Sequence, residues 1–131
     1  MNVISKLTLQ SVMALIIMAT ISIDSAQGNE LPTETLQRFA LDLQVPAMKN
    51  HDIRARKIIV PAGTKIRQHQ HSTTPGIVYL VSGSIIECRG DKERILQSGD
   101  TLREDVDTVH SYFNSSSKDC VLIAIDLPKT K

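Results

Sequence analysis

The stretch Gly63–Gly83, GTKIRQHQHSTTPGIVYLVSG, decides how the rest of the chain is read. It holds two short β-type runs, Ile66–His71 and Ile77–Val81. Between them lies the turn-forming segment Ser72-Thr73-Thr74-Pro75-Gly76, and Ser82-Gly83 closes the second run. In the first run His69 and His71 flank Gln70. Residues i and i+2 of a strand point to the same face, so the two imidazoles stand side by side. That pair is half of a site for a divalent metal.

The same texture continues on both sides. Upstream, Ile53–Val60 reads as a strand that ends at Pro61-Ala62-Gly63. Downstream come Ser84–Cys88, a turn at Arg89-Gly90-Asp91, Glu93–Leu96 and a turn at Ser98-Gly99-Asp100. Thr108–Phe113, a polar loop over Asn114–Asp119 and Cys120–Leu127 complete the series. No stretch after residue 50 keeps a helical period. Short strands punctuated by Gly, Pro and Asp indicate an all-β sandwich or barrel. A third histidine, His110, sits mid-strand in Val109-His110-Ser111-Tyr112. A buried imidazole without a partner costs roughly 1–3 kcal/mol, and a metal would supply the partner.

At these residues the chain resembles the cupin superfamily. Gly63-x5-His69-x-His71-x4-Gly76-x6-Gly83 is similar to the first cupin motif. Gly99-x5-Asp105-x-Asp107-x2-His110-x3-Asn114 is similar to the second. The resemblance implies a jelly-roll β-barrel, or double-stranded β-helix, with one metal held inside by His69, His71 and His110. Gly63, Gly83 and Gly99 fall at strand junctions and speak for the fold, not for catalysis.

Three motif positions depart from the pattern. Gly76 stands where the family carries a glutamate ligand, and Asp105 and Asp107 replace Pro and Gly. No Asp or Glu lies between His71 and Gly83, so the resemblance supports three histidine ligands without a carboxylate. Such a set suits Fe, Mn, Ni, Cu or Zn. In family terms it admits a three-His oxygenase, and with zinc an activated water. Period-two phase puts Thr108, Tyr112 and Asn114 on the His110 face and Arg67 on the face of His69 and His71. Tyr112 is a candidate acid and Arg67 a candidate anion holder; core packing and a solvated rim are the alternatives. Glu104, Asp105 and Asp107 read as a solvated loop that can at most orient an imidazole, and His51 as a surface residue. No second carboxylate or lysine is placed in the barrel, so no acid–base pair is named.

The first 28 residues are different in kind. Lys6 precedes an apolar run of twelve, Val12–Ile23, and Ala26 and Gly28 stand two apart near Asn29. This is the pattern of a secretory signal, cleaved or retained as an anchor. The expected organisation is therefore a signal at 1–28, an N-terminal arm at 29–51, a cupin domain at 52–127 and a tail at 128–131. Within residues 29–51, Pro32–Phe39 reads as a short helix or an arm. The implied location is periplasmic or extracellular. Cys88 and Cys120 then meet an oxidising milieu that permits a disulfide; as two core hydrophobes they need none.

The 131 residues suffice for one domain. Fifteen basic and 14 acidic residues are interspersed, for a net charge of +1, and no basic face suited to nucleic acid is evident. The partners expected are a small-molecule ligand or substrate, no nucleic acid, and no membrane once the signal is cut. A homodimer is compatible with the sequence. Two functions stand at this stage: an exported metal-binding cupin acting on a small molecule, and a non-catalytic ligand- or protein-binding cupin module.

Overall fold

The computed structural model describes residues 30–130. The expected signal segment, 1–28, lies outside the described residues. The period-two runs become strands, each stopped by its turn residues: β1 Thr33–Ala40, β2 Asp52–Val60, β3 Lys65–Gln70, β4 Gly76–Ser82 and β5 Ser84–Arg89. They continue as β6 Lys92–Gln97, β7 Thr101–Glu104, β8 Val109–Phe113 and β9 Cys120–Asp126. A single 3-10 turn, Pro46–Met48, is the only helical element among the described residues.

Two antiparallel sheets face each other, in the orders β1-β2-β9-β4-β7 and β3-β8-β5-β6. The strand spacing indicates a sandwich or barrel, and this is the jelly-roll form of it that the family resemblance implies. Alternate residues of both sheets point inward, and Val60, Leu80, Ile85, Leu96, Leu102 and Leu122 make the core. Aliphatic side chains fill it because the sequence offers no Trp and only two Phe. At the β4–β5 junction Gly83 has φ +84, and a Cβ there would lie 2.8 Å from the Asp119 carbonyl oxygen. Only glycine lets the hairpin close against that loop.

Two strands were not anticipated. Pro32–Phe39, expected as a short helix or an arm, contributes to β1, which pairs with β2 from Thr33↔Ile58 to Ala40↔Asp52. Every residue of β1 is exposed. Its backbone ladder and the ion pairs Arg38–Asp52 and Lys57–Glu34 hold it, not burial. β7 follows the Ser98-Gly99-Asp100 turn directly and pairs with β4 at the sheet edge. Cys88 and Cys120 are free, on strands of different sheets. Cys120 is in the core, where burial pushes its thiol up to about 11.

Candidate metal centre

His69 and His110 are directly opposed Cα partners across β3 and β8. Cross-strand partners on one face bring their side chains within contact, so the register alone places these two rings together. His71 follows two residues after His69, just past the end of β3, where its backbone N–H donates to the Thr108 carbonyl. The ligand-capable nitrogens of His69, His71 and His110 lie within 4.8 Å of one another.

The outer nitrogen of each ring fixes its tautomer. His69 Nδ1 stands 2.9 Å from the Arg67 carbonyl oxygen, and His71 Nδ1 3.2 Å from that of Thr74. Carbonyls only accept, so both Nδ1 atoms carry the proton. His110 Nδ1 stands 2.8 Å from Glu87 Oε1 and donates to it. Burial pushes the His110 imidazole down to about 4, against the pull of Glu87. The ring is therefore neutral near pH 7. In the neutral Nδ1–H tautomers the Nε2 lone pairs turn inward, with His110 Nε2 3.0 Å from His71 Nε2 and 3.2 Å from His69 Nε2. Lone pairs facing at these distances repel, and a cation between them would relieve the repulsion. An ion about 2.1 Å from each nitrogen would set neighbouring ligands about 3.0–3.4 Å apart. The donor set fits a divalent transition metal. The carboxylate or carbonyl behind each ring is the support that metal-bound histidines use.

Two acids stand beside the histidines. Glu87 on β5 is fully buried and accepts from His110, Arg89 and Arg94. Burial pushes its carboxyl up, but the hydrogen bonds from His110 and Arg89 outweigh that and hold it below the usual carboxylate range. Glu104, expected in a solvated loop, is the last residue of β7 and is 6 % exposed. It accepts from the Tyr112 hydroxyl at 3.1 Å and faces His71 Nδ1 at 3.4 Å and His110 Nε2 at 3.5 Å. The barrel therefore holds two carboxylates where the sequence reading placed none. For Glu87 a signal existed: it shares the period-two face of Ile85, which is core. For Glu104 the strand itself went unseen.

The remaining candidates separate cleanly. Tyr112 lies on the His110 face as expected, buried, with its ring centroid 4.5 Å from that of His110. Burial and then Glu104 push its phenol upward, so it is a neutral donor. Arg67 does not share the histidine face. The β3–β8 register shifts between Ile66 and His69, which turns both of those inward and leaves Arg67 and Gln68 exposed. Asp105 locks a turn with the Thr108 hydroxyl at 2.9 Å, and Asp107 is exposed. Asn114 is fully buried and donates to the carbonyls of Val60 and Lys118, a structural role. His51 forms a bridge with Lys129, outside the cluster.

The family model of the cupin domain matches residues 56–126. The chain belongs to the cupin family. Among solved structures, this cupin is similar to KdgF from Halomonas sp., at 18% identity and TM-score 0.60, over 76% of this chain and 79% of that one. It is also similar to the Cupin_2 domain of an XRE family transcriptional regulator from Enterobacter cloacae, at 18% identity and TM-score 0.56, over 77% and 98%. A third likeness is to a protein with a double-stranded β-helix domain from Klebsiella pneumoniae, at 15% identity and TM-score 0.59, over 79% and 81%. At these identities the likeness concerns the fold alone. No match was found among curated proteins.

A cleft of about 490 Å³ opens between β5, β6 and β7, lined by Glu87, Arg89, Lys92, Arg94 and Arg103 among others. Glu87, which accepts from His110 Nδ1, is the residue this cleft shares with the histidine site. The three Nε2 atoms do not line it.

Proposed function

We propose that this protein is an exported cupin that holds one divalent transition metal on the Nε2 atoms of His69, His71 and His110, and binds or transforms a small molecule there. The observation that carries the reading is the convergence of three inward lone pairs, each backed by an acceptor on Nδ1. Such a metal, when bound, supplies open coordination positions and Lewis acidity to a small oxygen or nitrogen donor. The chain's own residues do the rest. Glu87 fixes the His110 tautomer, the Arg67 and Thr74 carbonyls fix those of His69 and His71, and Tyr112 with Glu104 supplies a buried hydrogen-bond pair beside the rings. Three imidazole donors suit Fe, Mn, Ni, Cu or Zn, and the redox-active members of that series admit oxygenase chemistry.

Export rests on the Lys6 start, the apolar run Val12–Ile23 and the small residues before Asn29. N-terminal sequencing of protein from its native source should find a start near Asn29; a soluble cytosolic chain beginning at Met1 contradicts export. Metal analysis of the same preparation tests the centre. It should give about one transition-metal ion per chain, lost on substitution of His69, His71 or His110 by Ala and kept in His51→Ala. Equal metal content in all four variants contradicts the site.

A further inference from the structure

We propose that Glu104 is the fourth protein ligand of the His69–His71–His110 centre, supplied by β7 in place of a side chain that Gly76 on β4 cannot provide. The inference rests on the metal-binding reading above and adds a ligand to it.

Register carries the first step. Gly76 and Glu104 are direct Cα partners across β4 and β7. Partners on adjacent strands project to the same face, so a carboxylate at 104 enters the barrel one strand away from one at 76. Position 76 itself is closed. A Cβ there would lie 2.5 Å from the Ile125 carbonyl oxygen and 3.0 Å from Asp126 Cβ. The clash is with backbone and with a neighbouring strand's first side-chain carbon, so no side chain fits without moving β9.

Charge carries the second. Asp52, Glu87, Glu104 and Asp126 are the buried acids among the described residues. Asp52 is paired with Arg38, Glu87 with Arg89 and Arg94, and Asp126 with Arg54 and Arg56. Glu104 has no Lys or Arg partner among the described residues. Its neighbours are the Tyr112 hydroxyl and two imidazoles. Buried carboxylates are paired with a cation or bound to a metal. The first is absent here, and the second has its other ligands already gathered.

Distance carries the third. Glu104 Oε1 stands 3.5 Å from His110 Nε2, an atom that presents a lone pair and cannot donate. That separation is the spacing of adjacent ligands on one ion, while the ligand atoms within 4.8 Å of one another are those of the three histidines without Glu104, so the carboxylate turns further inward when the metal loads. Tyr112 then holds the carboxylate from its far side, as the acceptors behind the histidines hold their rings.

The test uses the full-length mature protein, its Glu104→Gln variant and the variant lacking all three histidines, each loaded with Co(II) and with Mn(II). In the wild type, metal loading should shift the vibrational bands of one carboxylate and place a Glu104 oxygen about 2.0–2.2 Å from the ion in a crystal of the loaded protein. Glu104→Gln should lose that band shift, change the Co(II) visible spectrum and bind Mn(II) about 10–100-fold more weakly, with a smaller loss for Co(II), because the harder ion depends more on oxygen. An ion held by the three histidines with Glu104 still beyond coordinating distance overturns the proposal and leaves the three-histidine centre intact. So does a Glu104→Gln Co(II) spectrum identical to wild type. Wild-type protein that binds neither metal overturns both readings. If Glu104→Gln does not fold, the wild-type band shift and the ion–oxygen distance decide alone.

Discussion

Asp126 on β9 and Glu104 on β7 face Gly76 from either side in one sheet. Asp126 takes a two-pronged pair from Arg54, at 2.9 Å on each oxygen, and a third contact from Arg56 at 2.7 Å. Both arginines sit on β2, whose register sets Arg54 directly opposite Asp126. The Asp126 hydrogen bond holds the Arg54 guanidinium above its ordinary range. Only Arg56 Nε is left there without a partner. Among the described residues Glu104 meets no Lys or Arg, only a phenol and two imidazoles. The same sheet thus carries one acid whose charge is answered within the fold and one whose charge is not. The first kind stabilises structure; the second is what a bound cation would answer.

The sharpest way to break this comparison is to remove the paired acid. Asp126→Ala strands two partly buried guanidinium groups and should cost about 3 kcal/mol in urea unfolding. A loss below about 1 kcal/mol would mean that the arginine cluster is solvated after all, and that the contrast with Glu104 is empty.

Acidification of the metal-free protein should have a comparable effect from the other end. The His110 pKa falls from 6.5 to about 4 on folding, with burial the main cause. Between those values the unfolded chain binds a proton that the folded chain refuses. His110 therefore contributes stability that is fully present above pH 6.5 and is lost as pH falls toward about 4. Its size is at most about 3 kcal/mol. The slope of stability against pH in this window should flatten in His110→Asn. An equally steep slope in that variant would place the titration elsewhere.

Next in size is Gly76 itself. Gly76→Ala pushes a methyl into the Ile125 carbonyl and Asp126, and should cost about 1–3 kcal/mol through displacement of β9. Gly63→Ala, at φ +73 with open space around it, should cost about 1 kcal/mol through backbone strain alone, leaving β9 undisplaced and the loss below that of Gly76→Ala. Equal losses at the two sites would remove the steric reason for glycine between the two acids.

The smallest effect is expected at Glu104. In metal-free protein Glu104→Gln keeps an oxygen for the Tyr112 hydroxyl and strands no cation, so stability should stay within about 1 kcal/mol of wild type. A loss as large as that of Asp126→Ala would show that Glu104 is as fully answered by the fold as Asp126 is.

The sequence made the strands β2 to β6, β8 and β9 readable because short β-type runs are separated by turn segments rich in Gly, Pro, Asp, Ser and Asn. It also made the histidine cluster readable, since His-x-His and a mid-strand His are local signals. It concealed β1, whose TETLQRFA has no buried face to pattern it and is held by backbone pairing. It concealed β7, whose four residues are too few to show a period beside a turn. The inward position of Glu104 was hidden with β7, so it read as a loop residue that at most orients an imidazole. The neighbour of Gly76 across the ladder is 28 positions away in sequence (104 against 76) and becomes a neighbour only through register. Arg67 was misplaced for the same kind of reason. A one-residue slip between Ile66 and His69 reverses the phase, and no residue type announces it.

The most direct measurement is a thermal unfolding curve taken with and without chelator on the wild type and on the variant with His69, His71 and His110 all replaced by Ala. A metal that binds only the folded chain adds RT ln(1 + [L]/Kd) to its stability, about 2.7 kcal/mol at a hundredfold excess over Kd. The wild-type melting temperature should rise by several degrees with added Mn(II), Co(II) or Zn(II) and fall back with chelator, while the triple variant stays unmoved. A wild-type curve indifferent to both metal and chelator would contradict the metal centre and leave a cupin barrel whose three histidines serve something else.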